Sequence, residues 1–331
     1  MKGGQLDLFG GGETAPKIEP HVTDDDRALA ARVPSFVRFG TSSWSFPGWK
    51  NIVWRGAPSE AALAKGGLAA YARHPLFRAV SLDRSYYGPV TEDDLATYAK
   101  LLEGTELRVL SKVWDEITTA VFPKHPRYGA RAGMRNPSFL DPQRFLDDVL
   151  EPYRRAFAKH AGPFLVELTP MPQGAIEPGA LSAKIDSFMA KMPSNFRFAF
   201  ELRNSDLFDA RWLDALRANG VAHVATFWTA MPTLRVQLAA RPFTASFTVV
   251  RLMLPPFARY ASQKVDFAPF DKLVAPQQEM REDVVDLLRA AEAAGCSEAF
   301  VLVNNKAEGS APLTVRALAE KVAAAFAPQG R

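Results

Sequence analysis

The sequence predicts an α/β fold: a single (β/α)8 barrel of the TIM type behind a disordered N-terminal leader. Three observations predict it. Eight short apolar runs with strand character recur along the chain, segments long enough for helices separate them, and most runs end in polar residues. Strand and helix alternating eight times is the pattern of a parallel barrel, whose functional site lies at the C-terminal strand ends. A chain of 331 residues has room for one large barrel or two ordinary domains, and the unbroken alternation selects the barrel.

Residues 1–33 are rich in Gly, Asp and Pro with little periodicity, which reads as a disordered leader; the barrel domain takes 34–331. The first strand is expected at 36–42, with a helical pattern at 61–73. Strand two is 78–83 and its helix 91–102. Strand three, 107–113, precedes a loop that holds Lys124, Arg127, Arg131 and Arg135 with His125 and Tyr128 among Pro and Gly. That loop reads either as a mobile guide for a phosphate backbone or as a solvated insertion balanced by the acidic run that follows it. A helix at 145–160 leads to strand four at 164–169, and one at 181–191 to strand five at 196–203. Strands six, seven and eight are 221–227, 247–253 and 299–304. A helix at 278–294 comes before the eighth strand, and an amphipathic one at 313–326 follows it.

Strand five carries the most information. Side chains alternate faces, so Phe196, Phe198, Phe200 and Leu202 make one apolar face while Ala199, Glu201 and Arg203 share the other. A carboxylate and a guanidinium at the end of a buried strand need partners or a ligand. Other strand ends add Thr41, Ser42, Ser43 and Trp44, then Asp83, Lys112, Glu167, Arg251, Asn304 and Asn305. Together they mark a site, or else ion pairs such as Asp83 with Arg203 and Glu201 with Arg251 that close the barrel mouth.

A net charge of +4 is too mild to imply a nucleic-acid coat protein. The single cysteine, Cys296, excludes an internal disulfide, and the chain shows neither a signal-peptide layout nor an apolar run near the ~20 residues of a membrane span, so a cytoplasmic protein is expected. The five histidines are His21, His74, His125, His160 and His223, none at His-x-x-x-His spacing; no transition-metal site is expected, and His223 reads as a core residue. Weakly held magnesium on Asp83, Glu167 and Glu201 stays open. No histidine stands by the serines after strand one to activate them, so Ser42 and Ser43 read as hydrogen-bond donors at the mouth. Carboxylate acid–base chemistry is the stronger option, with Glu201 beside Arg203, Glu167 on the neighbouring strand and Asp83 as a third group. Glu201 and Glu167 also meet the minimum for glycoside hydrolysis. Against a neutral sugar, Arg203, Arg251 and Lys112 suit phosphate or carboxylate. The expectation is a hydrolase or lyase acting on a phosphate-containing or nucleic-acid substrate, with Asn304 and Asn305 as orienting donors and Trp44, Tyr86, Tyr87 and Trp114 as stacking walls. A non-catalytic protein holding an anionic small molecule or nucleic acid in the same pocket is the alternative.

The run Phe39, Gly40, Thr41, Ser42, Ser43, Trp44 with Trp49 behind it, the central Glu201, Leu202, Arg203, and the closing Asn304, Asn305, Lys306 with Gly309 and Ala311 resemble, in this order, the domain of unknown function 72 family, the YecE-like barrels. Arg251 and Tyr260 match its strand-seven region. The resemblance spans about residues 36–326 and implies a TIM-barrel fold, with no settled reaction to carry over. Departures are visible: Ser81, Asp83, Tyr86 and Tyr87 stand where the family commonly has Glu, Asn and Phe-Tyr. Thr118 and Thr119 replace its Thr-His, Glu167 its Gln, and Asn204 the His after Glu-x-Arg. Chemistry that needs those two histidines is closed to this chain.

In the leader, Gln5, Leu6, Asp7, Leu8 and Phe9 form a near-ideal version of the pentapeptide with which bacterial proteins dock on the DNA sliding clamp. Leu6, Leu8 and Phe9 suit a hydrophobic groove, Gln5 its polar wall, and the flanking glycines give reach. The alternative is a tail whose Leu and Phe fold back onto the barrel.

Overall fold

Eight parallel strands run in the order β3-β2-β1-β8-β7-β6-β5-β4 in the computed structural model, which describes residues 18–255 and 265–327. They are β1 (Val37–Thr41), β2 (Ala79–Leu82), β3 (Arg108–Ser111), β4 (Phe164–Glu167), β5 (Phe198–Glu201), β6 (Ala222–Phe227), β7 (Phe247–Leu252) and β8 (Glu298–Val303). Each lies inside or within a residue of its expected span. The last seam, between β3 and β4, is drawn together by isolated parallel bridges Val109–Ala161 and Lys112–Leu165, so the barrel is nearly closed.

Helices occupy the crossovers. Expected ones appear at Glu92–Leu101, Pro178–Met189, Gln278–Ala293 and Ala311–Ala325, while those after β1 and β3 each widen into a π segment, Leu63–Gly67 and Phe145–Leu150. Two short helices, Ala210–Ala218 and Leu234–Ala239, went unforeseen although each has a legible start: Asp209 caps the first through the Trp212 N–H, and Thr233 caps the second through that of Val236.

The leader needs correction. Within the described residues Ile18 is already buried and Asp24–Arg32 is a helix, α1, so the boundary at residue 33 is too late. Thr23 and Asp26 form a capping box, a start signal present in the sequence as Thr-x-x-Asp. Buried Leu29 anchors the helix, and Asp26 pairs with Arg316 of the last helix. Residues 5–9 lie outside the described residues.

Period-two alternation splits the strands' side chains into two cores. Phe198, Phe200, Val301 and Val303 join the large cluster between sheet and helices, while Ala79, Leu110, Leu165, Ala199, Val224, Val249, Phe300 and Leu302 make a separate cluster inside the barrel. Continuing the inward parity towards the C-terminal ends gives Asp83, Lys112, Glu167, Glu201, Arg203, Thr226, Trp228 and Arg251. The barrel's middle is therefore apolar and its top ionic, and the same parity run backwards puts Arg38, Arg197 and Glu298 at the opposite, N-terminal ends, where Glu298 pairs with both arginines. His223 has the opposite parity and accepts a hydrogen bond from Trp212 Nε1 at 3.1 Å, as a core histidine does. Burial drives its pKa down to about 4.

Gly40 is where β1 presses on β2. A Cβ there would lie 2.0 Å from the Ala79 carbonyl oxygen, a clash with backbone that no rotamer relieves. Gly40→Ala is therefore expected to cost at least about 3 kcal/mol in urea unfolding. A loss below about 0.5 kcal/mol would show that the β1–β2 approach is not as tight as described.

Candidate active site at the barrel mouth

Six ionisable side chains from β2 to β7 meet at the C-terminal ends: Asp83, Glu167 and Glu201 against Lys112, Arg203 and Arg251. Their formal charges cancel. Glu167 and Glu201 stand side by side because β4 and β5 pair Glu167 with Glu201 in register. Glu167 Oε2 is the focus, 2.6 Å from Arg251 Nη1, 3.0 Å from Arg203 Nη2 and 3.1 Å from Lys112 Nζ. Arg203 Nη2 also reaches Glu201 Oε1 at 2.6 Å, and Arg251 Nη1 bonds Glu201 Oε2. Lys112 lies 3.5 Å from Asp83, which accepts a 2.9 Å hydrogen bond from Ser81.

Burial grades the six by depth. Glu201 and Arg251 have fully buried side chains, those of Arg203, Lys112 and Glu167 are 4%, 10% and 14% exposed, and that of Asp83 is 33% exposed. Burial by itself raises a carboxyl pKa, but Arg203, Lys112 and Arg251 together hold Glu167 well below the usual carboxylate range. Burial likewise works against the Lys112 ammonium, and Asp83 and Glu167 outweigh it, raising its pKa. At neutral pH Glu167 is an anion and Lys112 a cation.

This depth changes several assigned roles. Glu201, expected as the acid or base, is sealed in the barrel by both arginines, so the carboxylates that meet solvent are Glu167 and Asp83. Arg251, expected to clamp a ligand, is the inner tie of the network. The Asp83–Arg203 pair does not form; Lys112 takes Asp83 instead. A glycosidase pair from Glu201 and Glu167 does not fit either, because both carboxylates bond the same Arg251 nitrogen and leave no gap for a glycosidic bond. For magnesium, the three carboxylates are interleaved with cations, and no group of three or more His, Cys, Asp or Glu among the described residues is placed to hold a metal ion.

Parity explains which other candidates reach the mouth. Thr41 and Asn305 are one residue out of phase with the inward positions. Thr41 bonds Tyr71 (2.8 Å) on the outer side, and Asn305 Oδ1 accepts from Trp49 Nε1 (3.2 Å) and from the Ala311 N–H (2.8 Å) at the start of the last helix. Both are structural latches. Asn304 caps the 3-10 turn Asn305–Ala307. Ser42 is buried with its hydroxyl 3.8 Å from Met253 Sδ, and Trp44 is buried edge-on against Tyr98. Tyr260 lies outside the described residues.

Tyr86 and Tyr87 do line this face. Ser85 bonds the Lys112 carbonyl at 2.7 Å, which pins the turn Asp83–Tyr86 beside β3 and sets the Tyr86 ring 5.3 Å from Lys112 Nζ. Tyr87 is 67% exposed. The basic loop is ordered, with a 3-10 turn at Pro126–Arg131 and a bridge between Val121 and Arg135. Arg127 pairs with buried Asp115 and lies 4.7 Å from the Tyr87 ring centre; Arg131 forks onto both oxygens of Glu116 at 2.8 Å. These two arginines are thus paired with acidic residues of the preceding short helix, Asp115–Thr118.

Trp228 was missed. It continues the inward parity of β6 past the strand's end, and the Arg203 guanidinium lies 4.2 Å from its ring centre. Extending the alternation two residues would have found it. The departures at the histidine positions have physical substitutes: Asn204 brackets the Met171 backbone through 2.8 and 3.0 Å bonds, and Thr119 links through Thr169 to the Tyr86 hydroxyl.

A parallel α/β barrel with an ionic, half-closed C-terminal mouth defines the class. The chain belongs to the family described as protein of unknown function DUF72, whose model matches residues 38–330. Solved members share the fold at low identity. A DUF72 family protein from Enterococcus faecalis is 15% identical with a TM-score of 0.59, the match covering 87% of this chain and 95% of that one. One from Thermotoga maritima is 16% identical with a TM-score of 0.57, over 87% and 99% of the two chains. Comparison with curated proteins finds no match.

Removing one member of the inner tie leaves a buried charge unpaired. Arg251→Met is expected to destabilise the barrel by about 3–5 kcal/mol, and adding Glu201→Gln should recover part of it, giving a coupling energy above ~1 kcal/mol in a double-mutant cycle. Additive losses would mean that the tie is not energetic. Acid adds a second check. Because the folded state lowers the Glu167 pKa, its contribution is full above the unfolded value and is lost as pH falls through the folded one. The stability gap between the wild type and Glu167→Gln should therefore narrow from neutral pH to about pH 3; a gap independent of pH would contradict the depressed value.

Proposed function

We propose that the barrel mouth binds a phosphate-bearing ligand, a nucleotide or nucleic-acid end, and that Glu167 and Asp83 supply the carboxylates of a hydrolase or lyase acting on it. One observation carries the reading. The network has more N–H donors than acceptors: Nε and Nη2 of the sealed Arg251 lack an acceptor among the described residues, and so does Arg203 Nε, which lies on the side chain nearer the solvent. An unpaired buried donor costs about 1–3 kcal/mol, more when charged, and an acceptor oxygen, from a water or a ligand, remedies it. Phosphate oxygens are such acceptors, and arginine forks match them in geometry.

The remaining parts agree with that class. Lys112 and Arg203 are the cations nearest solvent, and Trp228 and Tyr87 offer ring faces on which a base can stack. Glu167, held as an anion, orients a water, and Asp83 is the carboxylate most exposed to solvent. A non-catalytic binding protein is the second reading, favoured by the sealing of Glu201 beneath both arginines.

Thermal shifts separate these readings. A short single-stranded oligonucleotide or a nucleotide should raise the melting temperature of the wild type, and Arg203→Met or Tyr87→Ala should weaken the effect by about tenfold in apparent affinity, the scale of one stacked base or charged hydrogen bond. Stabilisation by a neutral disaccharide and not by phosphates would overturn the anionic reading. Binding without turnover of the bound phosphate compound would select the binding protein.

A further inference from the structure

We infer that residues 5–9 dock the chain onto a ring-shaped DNA sliding clamp, and that this docking delivers DNA to the barrel mouth. The observations are independent of the mouth's chemistry. Among residues 1–17 the large apolar side chains are Met1 and three packed into one pentapeptide, Leu6, Leu8 and Phe9, with Gln5 ahead of them and Asp7 between. Gly3 and Gly4 precede this unit and Gly10, Gly11 and Gly12 follow it. A compact apolar cluster bracketed by glycines is the composition of a peptide ligand: the anchors fill a groove, the glutamine bonds its wall, and the glycines let the unit stand clear of its own domain.

The structure says where such a ligand is attached. Ile18 is the first described residue and is buried. Glu19 accepts from the Arg55 N–H at 2.9 Å, Pro20 bridges Trp54, and the His21 N–H bonds the Val53 carbonyl at 2.8 Å. Residues 53–55 belong to the loop that leaves the C-terminal end of β1, and Trp49 in the same loop is latched to Asn305 after β8. The leader is thus fastened to a loop that leaves the strands at their C-terminal ends. Eight residues separate Phe9 from Ile18 and span at most about 30 Å when extended. A clamp held at residues 5–9 stays within that distance of the anchoring loop, and duplex DNA threading it is presented at high effective concentration. That last step rests on the phosphate reading above; the docking itself does not.

The test uses the full chain. Purified bacterial sliding clamp is titrated against the wild type, the double variant Leu8→Ala with Phe9→Ala, and Arg203→Met, and the melting temperature of each is recorded. The expected result is micromolar binding by the wild type, retained in Arg203→Met and weakened at least about tenfold in the double variant, with an unchanged melting temperature. Equal binding by the wild type and the double variant, or none by either, would overturn the docking. So would a melting temperature lowered in the double variant without clamp binding by the wild type, since Leu8 and Phe9 would then pack on their own barrel. Loss of binding in Arg203→Met alone would place the contact at the mouth and not in the leader.

Discussion

Everything at the top of this barrel depends on Glu167 Oε2 holding three cations at once. Lys112 comes from β3, Arg203 from β5 and Arg251 from β7, so one oxygen ties the ends of alternate strands around the mouth. Glu201, its fully buried neighbour, repeats the arrangement with two of the same cations. Six charges that cancel can be buried where any one alone could not. The arrangement also explains why the apolar filling stops at Ala199, Val224 and Val249: above that level the interior belongs to ions. The surplus of arginine N–H groups over carboxylate oxygens is the observation on which the proposed acceptor-rich ligand rests.

The fold was legible because its signal is redundant. Eight apolar runs, seven of them with polar ends, leave little freedom, and each observed strand falls on its expected stretch to within a residue. The site was legible as a set of strand ends and illegible as a set of depths. Alternation tells which side a residue faces, and applied strictly it would have removed Thr41 and Asn305 and added Trp228. It does not tell that Glu201 is sealed while its register partner Glu167 still meets solvent, because that depends on strand tilt and stagger, which are properties of the closed barrel.

Local signals were also left unused. Thr23 and Asp26 spell a helix start inside a stretch dismissed for its composition, and Asp209 and Thr233 begin two helices too short for periodicity to reveal. The closing stretch also has an architectural part that a single sequence does not show. Glu308 is fully buried, accepts from Arg281 at 2.9 and 3.1 Å, and holds the Gln277 N–H, while Gly309 adopts φ 118° where a side chain would strike the Lys272 carbonyl. Asn305 and Glu308 thus fasten this turn to neighbouring segments.

Whether the surplus donors form the ligand seat can be read on the atoms themselves. The Nε–H resonances of Arg203 and Arg251, assigned by nitrogen-15 NMR, can be followed while a short oligonucleotide is added. Shifts of the Arg203 signal that saturate with binding, with slowed exchange against solvent, are the expected result. Signals from both arginines that stay unmoved at saturating oligonucleotide would contradict a phosphate seat at the mouth and leave the network a purely structural closure.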